Sequence, residues 1–318
     1  DSNEAVNKSG DTYIYMAIRR GPLAVPTDAT KVFEATTSLT GARQNGDTIS
    51  TTLDYADWHF FRRTDRTDYN SNNARITGWK YLSTNTTDAE TTAVLKQGGD
   101  QNKLEYTSSW HGAHSSVIDY FFKRAPSFFD VVAWTGTGSN MNISHNLGVV
   151  PEMIWARPRS YADNWSVFHK DLTYNVRLND NSAMGTGQVF GTLTSSVMPT
   201  ASGSIHASGQ TYIAYLFATV AGVSKVGSVA PTGSALTVDC GFTSGARFVL
   251  MKRTDSTGDW FVWDSVRGIV SGNDPWLALN SNSSETTNTD YIDPHSSGFA
   301  LTSSFYGSGS NFIFYAIA

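Results

Sequence analysis

The chain has 318 residues, of which 40% are hydrophobic, 13% aromatic and 16% charged, with a formal net charge of −5. That length allows two or three domains with their own cores, and the acidic balance offers no basic field to nucleic acid or to an anionic membrane. The single cysteine, Cys240, excludes an internal disulfide framework and a Cys-rich zinc site.

Residues 1–20 end in "GDTYIYMAIRR", a small polar lead followed by a β-branched and aromatic run. The same pattern recurs in "SSVIDYFFKRAP", "GQTYIAYLFATV" and "GSNFIFYAIA", which makes Ile14, Ile118, Ile213 and Ile313 equivalent. Residues 1–20 therefore read as the terminal strand of an incomplete preceding repeat, or as a strand donated to another subunit. A linker, 21–30, follows. No apolar run is long enough to cross a bilayer as a helix, so membrane insertion is not expected.

Three units come next, at 31–124, 125–221 and 222–318. Each opens near a Thr-Gly turn (Thr40-Gly41, Thr135-Gly136, Thr232-Gly233) and carries a basic cluster ("RRTD", "RPRS", "KRTD"). "WSVFH" at Trp165 matches "WFVWD" at Trp260. "LSTNTT", "LNDNSA" and "LNSNSS" share a Leu with an Asn three positions on, starting at Leu82, Leu178 and Leu279. Short apolar runs separated by Gly, Ser, Asn and Asp predict strands, and the nearly all-apolar closing runs predict central strands buried on both faces. Asp88–Gln97 is the best helix candidate, and Ala183–Gln188 a weaker one. The expected fold is all-β: tandem β-sandwich-like domains of about 95 residues with short helical turns, arranged as beads on a string.

"HNLGVVPEMIWARPRS", "DSVRGI", "LSTNTTDAE" and "YIAYLFA" resemble a tandem repeat domain of unknown function found in tail-fibre-like virion proteins of cyanophages and other marine bacteriophages. Units of that family commonly carry a "GF-x-PDFVWIKNR"-like strand, a "DSVRG" turn, an "L-x-[ST]-N-x-[ST]-x-AE" segment and a closing "YIAWAFKA"-like strand. The resemblance covers three units and the initial fragment. The first unit lacks the "DSVRG" turn and the second reads "HKDLTYNVRL" in its place. The family has no established catalytic chemistry, so the resemblance implies a location in a virion rather than a mechanism.

The residues themselves suggest no enzyme. His111 and His114 share no face outside a helix and have no acidic or Cys partner at a metal-binding spacing, so no metal and no cofactor are expected. No G-x-S-x-G elbow occurs. The carboxylates a glycosidase would need (Asp54, Asp57, Asp88 and Glu90, or Asp264, Glu285, Asp290 and Asp293) do not recur between units. In "DSVRG", Asp264 is suited to accept backbone N–H groups, Gly268 to take positive φ, and Arg267 to pair with Asp264. The repeating Arg63, Arg157 and Arg253 read as braces within each domain. Of nine tryptophans, Trp79, Trp110 and Trp276 sit in turn-like contexts and are the candidate contacts for a sugar.

The expectation is a non-enzymatic virion structural protein, a tail fibre or appendage contributing to host-surface attachment. Its partners would be other virion proteins, copies of itself (a trimer in a fibre) and a host surface glycan. A capsid decoration or head-fibre protein is one alternative, and a carbohydrate-binding or depolymerase module another.

Overall fold

Each of the three closing strands is buried along almost its whole length (the one charge among them, Asp119, meets His59 at 2.9 Å), and each lies second from the edge of a five-stranded antiparallel sheet. In the computed structural model, which describes residues 24–318 apart from 38–40, 43–44, 66, 68–69, 93–94, 108–112 and 115, three such sheets share one strand order. The first runs Phe33–Thr36, Val117–Phe122, Trp58–Arg63, Ser71–Ala74, Tyr81–Ser83. The second runs Phe129–Thr135, Thr211–Phe217, Met153–Pro158, Ser166–His169, Val176–Arg177. The third runs Ser224–Val229, Phe312–Ile317, Phe248–Arg253, Trp260–Asp264, Leu277–Ala278. The expected strand at 1–20 and the first linker positions lie outside the described residues.

The register matches across the sheets. Ile118, Ile213 and Ile313 stand opposite Arg62, Arg157 and Lys252 respectively. A smaller sheet accompanies each large one: Thr48–Ser50 with Lys103–Tyr106 and Leu95–Gln97, Asn142–Ser144 with Val197–Pro199, and Leu236–Asp239 with Gly298–Leu301 and Ile292–His295. The described residues contain no α-helix, only 3₁₀ turns at Ala29–Lys31, Arg75–Thr77 and Gly203–Ile205. The fold is thus all-β, built of sandwich-like layers.

Alternation along the closing strands explains why both of their faces are apolar, since successive side chains in a strand point to opposite sides. Ile213, Tyr215 and Phe217 enter one large core, while Tyr212, Ala214 and Leu216 enter a separate core under the unit's own small sheet. In the first unit Tyr120 and Phe122 likewise face the large core, and Val117 and Phe121 face the satellite.

The large core contradicts the beads-on-a-string expectation. It takes Phe33, Trp58 and Tyr120 from the first unit, Phe129, Trp155 and Tyr215 from the second, and Phe248, Trp260 and Tyr315 from the third. Rings meet across every junction: Trp58 with Tyr215 at 4.8 Å, Phe217 with Tyr315 at 5.1 Å, and Tyr120 with Phe248 at 5.4 Å. Aromatic side chains each bury a large area, so three sheets facing one another bury far more than three isolated sandwiches could.

Neither helix candidate forms. In Asp88–Gln97, Thr91 bridges to Tyr81 and Leu95–Gln97 is a strand. Its helix-favouring Ala and Leu are overridden because Glu90 is drawn to Arg159 of the next unit, N–H to carbonyl and carboxylate to guanidinium. Ala183–Gln188 is irregular chain, with Met184 donating to the Thr254 carbonyl of the third unit.

Candidate functional site

Arg62, Arg157 and Lys252 are spaced 95 residues apart on equivalent strands, and all three are buried. Arg157 donates to the carbonyls of Ser83 (3.1 Å), Thr86 (3.1 Å) and Asp88 (2.5 Å) in the first unit, and to Asp163 (3.2 Å) in its own. Lys252 donates to Asn181 (3.2 Å) and Ser182 (2.8 Å) of the second unit and to Gly258 (2.7 Å) of its own. Arg62 donates to the carbonyls of Ala278 and Ser283 in the third. Each unit therefore clasps the one before it, and the first clasps the last. The three form a closed ring with approximate threefold symmetry.

A second set of contacts repeats the ring. Asn70, Trp165 and Trp260, again 95 apart, donate side-chain N–H groups to the carbonyls of Leu279 (2.5 Å), Ser83 (2.8 Å) and Arg177 (2.7 Å). A buried charge or N–H needs such partners, and backbone carbonyls supply them without a counter-ion. Burial lowers Arg157 to about 10 and Lys252 to about 8, so both remain protonated at neutral pH.

The Leu-x-x-Asn segments lie at these junctions, but the first is offset from its sequence match. Asn85, Asn179 and Asn280 each accept, through Oδ1, the backbone N–H of Asn70 (3.2 Å), Trp165 (2.8 Å) and Trp260 (2.7 Å). Structurally Asn85 thus corresponds to Asn179 and Asn280, two residues away from the pairing that aligning Leu82 with Leu178 implies.

These equivalent segments converge on one depression of about 540 Å³. Asn85 and Thr86 come from the first unit, Asn179, Asp180 and Asn181 from the second, and Asn280, Ser281 and Asn282 from the third, with Asp259 beside them. Asp259 accepts from Asn280 (2.8 Å), and Asp180 accepts the Ser182 N–H (2.9 Å) and faces Arg177 (3.3 Å). The side chains of Asn181 and Asn282 are exposed and make no hydrogen bond among the described residues. Sequence reading noticed these segments as repeats and did not single out their asparagines as a site. The available signal was their polar identity, since a repeated position that only packs a core would be apolar.

Of the residues expected to act, Trp79 is buried at 3% exposure and offers no face to a ligand. Gly78 and Trp79 both have positive φ (72° and 62°), and that turn sends the indole into the satellite core of the first unit. Trp276 is half-buried, edge-on to Phe261 at 4.7 Å, and its Nε1 donates to Thr289 at 2.9 Å. Trp110 lies outside the described residues. Neither Trp79 nor Trp276 lines the depression.

The "DSVRG" turn is a junction as well. Asp264 Oδ1 accepts the N–H groups of Val266 (3.0 Å) and Arg267 (2.9 Å), while Oδ2 meets Arg267 Nε (2.6 Å) and the Tyr120 hydroxyl of the first unit (2.7 Å). Arg267 also reaches Glu285 at 2.8 Å, and Gly268 has φ 129°. Arg63 and Arg253 pair with Asp65 and Asp255 two residues on, inside their own units. Arg157 differs: its bonds run mainly to the neighbouring unit, so it braces a junction and not a single domain.

Other titratable groups are occupied or buried. Asp54 pairs with Lys123 (2.6 Å) and Glu90 with Arg159 (2.7 Å). Burial raises the Cys240 thiol to about 12. Among the described residues no three His, Cys, Asp or Glu side chains are grouped to hold a metal ion.

Fold and site together define a single-chain, approximately threefold ring of β-sandwich-like units with a polar depression where the three meet. The chain belongs to the DUF7483 family, a domain of unknown function, whose pattern matches residues 108–318, from the end of the first unit through the second and third. No curated protein and no solved structure matches the chain.

Proposed function

We propose that this protein is a non-enzymatic structural component of a bacteriophage virion, a tail fibre or appendage that contributes to attachment to the host surface. The observation that carries this reading is the closed ring. Arg62, Arg157 and Lys252 are spent on backbone carbonyls of neighbouring units, which serves rigidity and leaves none of them for catalysis. The resemblance of "DSVRGI" and "YIAYLFA" to repeats of marine phage tail-fibre-like proteins supports the location. Its partners would be other virion proteins, further copies of the chain and a host surface glycan.

Capsid decoration is the second reading, favoured by the approximate threefold itself. One chain that repeats its surface three times about an axis can meet a threefold-symmetric shell as a monomer. Electron microscopy of intact virions labelled with an antibody fragment against residues 222–318 separates the two. Label on the tail or its fibres supports attachment, and label over the head supports decoration. Unlabelled particles overturn both.

A further inference from the structure

We infer that the depression at the meeting point of the three units is a binding site for a neutral saccharide. The inference deepens the attachment reading and rests on it only for its biological role. The lining is five asparagines, two aspartates, a threonine and a serine, drawn from all three units. A carboxamide offers a donor and an acceptor side by side, the complement of the paired hydroxyls on a sugar ring. Its volume, about 540 Å³, lies within the range of small-ligand sites.

The same lining excludes other ligand classes. No Lys or Arg side chain is among the lining residues, so an anionic sugar or a phosphate would meet the carboxylates of Asp180 and Asp259 with no cation in the lining to receive it, Arg177 being already paired with Asp180. No apolar side chain lines it either, which removes the basis for a hydrophobic ligand. A bare divalent cation would have to displace existing partners, because Asp259 is held by Asn280, and Asp180 by the Ser182 N–H and Arg177.

The three units do not contribute alike. Asn85, Asn179 and Asn280 hold the backbone at residues 70, 165 and 260, so their Oδ1 atoms are committed. Asn181 and Asn282 have no such task and project from the second and third units as free contact groups. Binding would therefore be asymmetric, centred between those two units.

Saturation-transfer NMR on the whole chain tests this with glucose, galactose, mannose, N-acetylglucosamine and lactose, using N-acetylneuraminic acid as a contrasting probe, and calorimetric titration with calcium chloride supplies the cation contrast. At least one neutral sugar should receive saturation. Asn181→Ala with Asn282→Ala should weaken its binding at least about tenfold, as expected for losing two or more hydrogen bonds, without lowering Tm. Asn140→Ala, exposed and outside the depression, should leave binding unchanged. Transfer to no neutral sugar, transfer unaffected by the double substitution, or a response confined to the anionic sugar or to calcium would each overturn the site. Sugar binding on a protein absent from virions would leave the site standing and remove the attachment role. Label on the tail with no sugar binding would do the reverse.

Discussion

Arg62 and Ala278 stand 216 positions apart, and the guanidinium of the first donates to the backbone carbonyl of the second. This contact joins the first unit to the third and turns a linear repeat into a ring. The position 95 residues after Arg62 does the same between the second unit and the first, and the next does so between the third and the second. Closure of the ring lets the aromatic faces of all three sheets share one interior.

Truncating Arg62 should show what closure contributes. Arg62→Met keeps the aliphatic stem and leaves the Ala278 and Ser283 carbonyls without their donor. The Ala278 carbonyl is buried and would be left unsatisfied at a cost of roughly 1–3 kcal/mol, whereas exposed Ser283 can turn to water, so a loss of about 1–3 kcal/mol is expected. Urea unfolding measures it. A loss below about 0.5 kcal/mol, typical of an unimportant surface change, would mean that the clasp does not hold the ring.

A shared core also predicts cooperativity across the whole chain. Calorimetry should show one unfolding transition, with the calorimetric enthalpy equal to the van't Hoff value. Ending the chain at residue 221 exposes Phe33, Trp155, Tyr120 and Phe217, which pack on third-unit residues or share their cluster. That shortened chain should lose its near-ultraviolet circular dichroism. Three separable transitions, or a well-folded two-unit chain, would restore the picture of independent domains.

His169 makes stability fall in acid. It is fully buried, its Nδ1 accepts the Asp171 N–H at 3.2 Å, and burial lowers it to about 4. The folded value lies below the unfolded one near 6.5, so the unfolded chain binds the extra proton first. The contribution is complete above pH 6.5 and is lost as pH falls through 4, up to about 3 kcal/mol for this shift. Asp274, raised by burial to about 6, acts in the opposite direction between about pH 6 and 4. The difference between wild type and His169→Gln isolates the histidine: the drop in Tm from pH 7 to pH 4.5 should shrink in the variant. An equal drop in both proteins would assign the acid sensitivity elsewhere.

The tryptophans should divide by burial and not by sequence context. Trp79→Ala removes a buried indole and should cost about 3–5 kcal/mol. Trp276→Phe loses the bond to Thr289 and part of a half-buried ring, and should cost about 1 kcal/mol. Neither should alter sugar binding at the depression. A Trp79→Ala protein of undiminished Tm would contradict the packing described above.

Side-chain periodicity carries the local architecture of this protein. Short β-branched and aromatic runs required strands, "YIAYLFA" and "FIFYAIA" required strands covered on both faces, and the recurring clusters "RRTD", "RPRS" and "KRTD" marked equivalent segments, although in register Arg157 matches Arg62 and Lys252 and not Arg63 and Arg253. The turn at Asp264 was legible too, because a side-chain oxygen beside its own backbone acts locally. Packing of the three sheets sets what those basic residues hold, turns Trp79 inward, matches Asn85 to Asn179, and brings five asparagines together in one depression. The reason is physical. The partners of Arg62, Arg157 and Lys252 are backbone carbonyls, which are the same in every residue and leave no mark on the sequence. Which carbonyl lies within reach depends on how three sheets pack about a common axis, and that is set by the shared core as a whole.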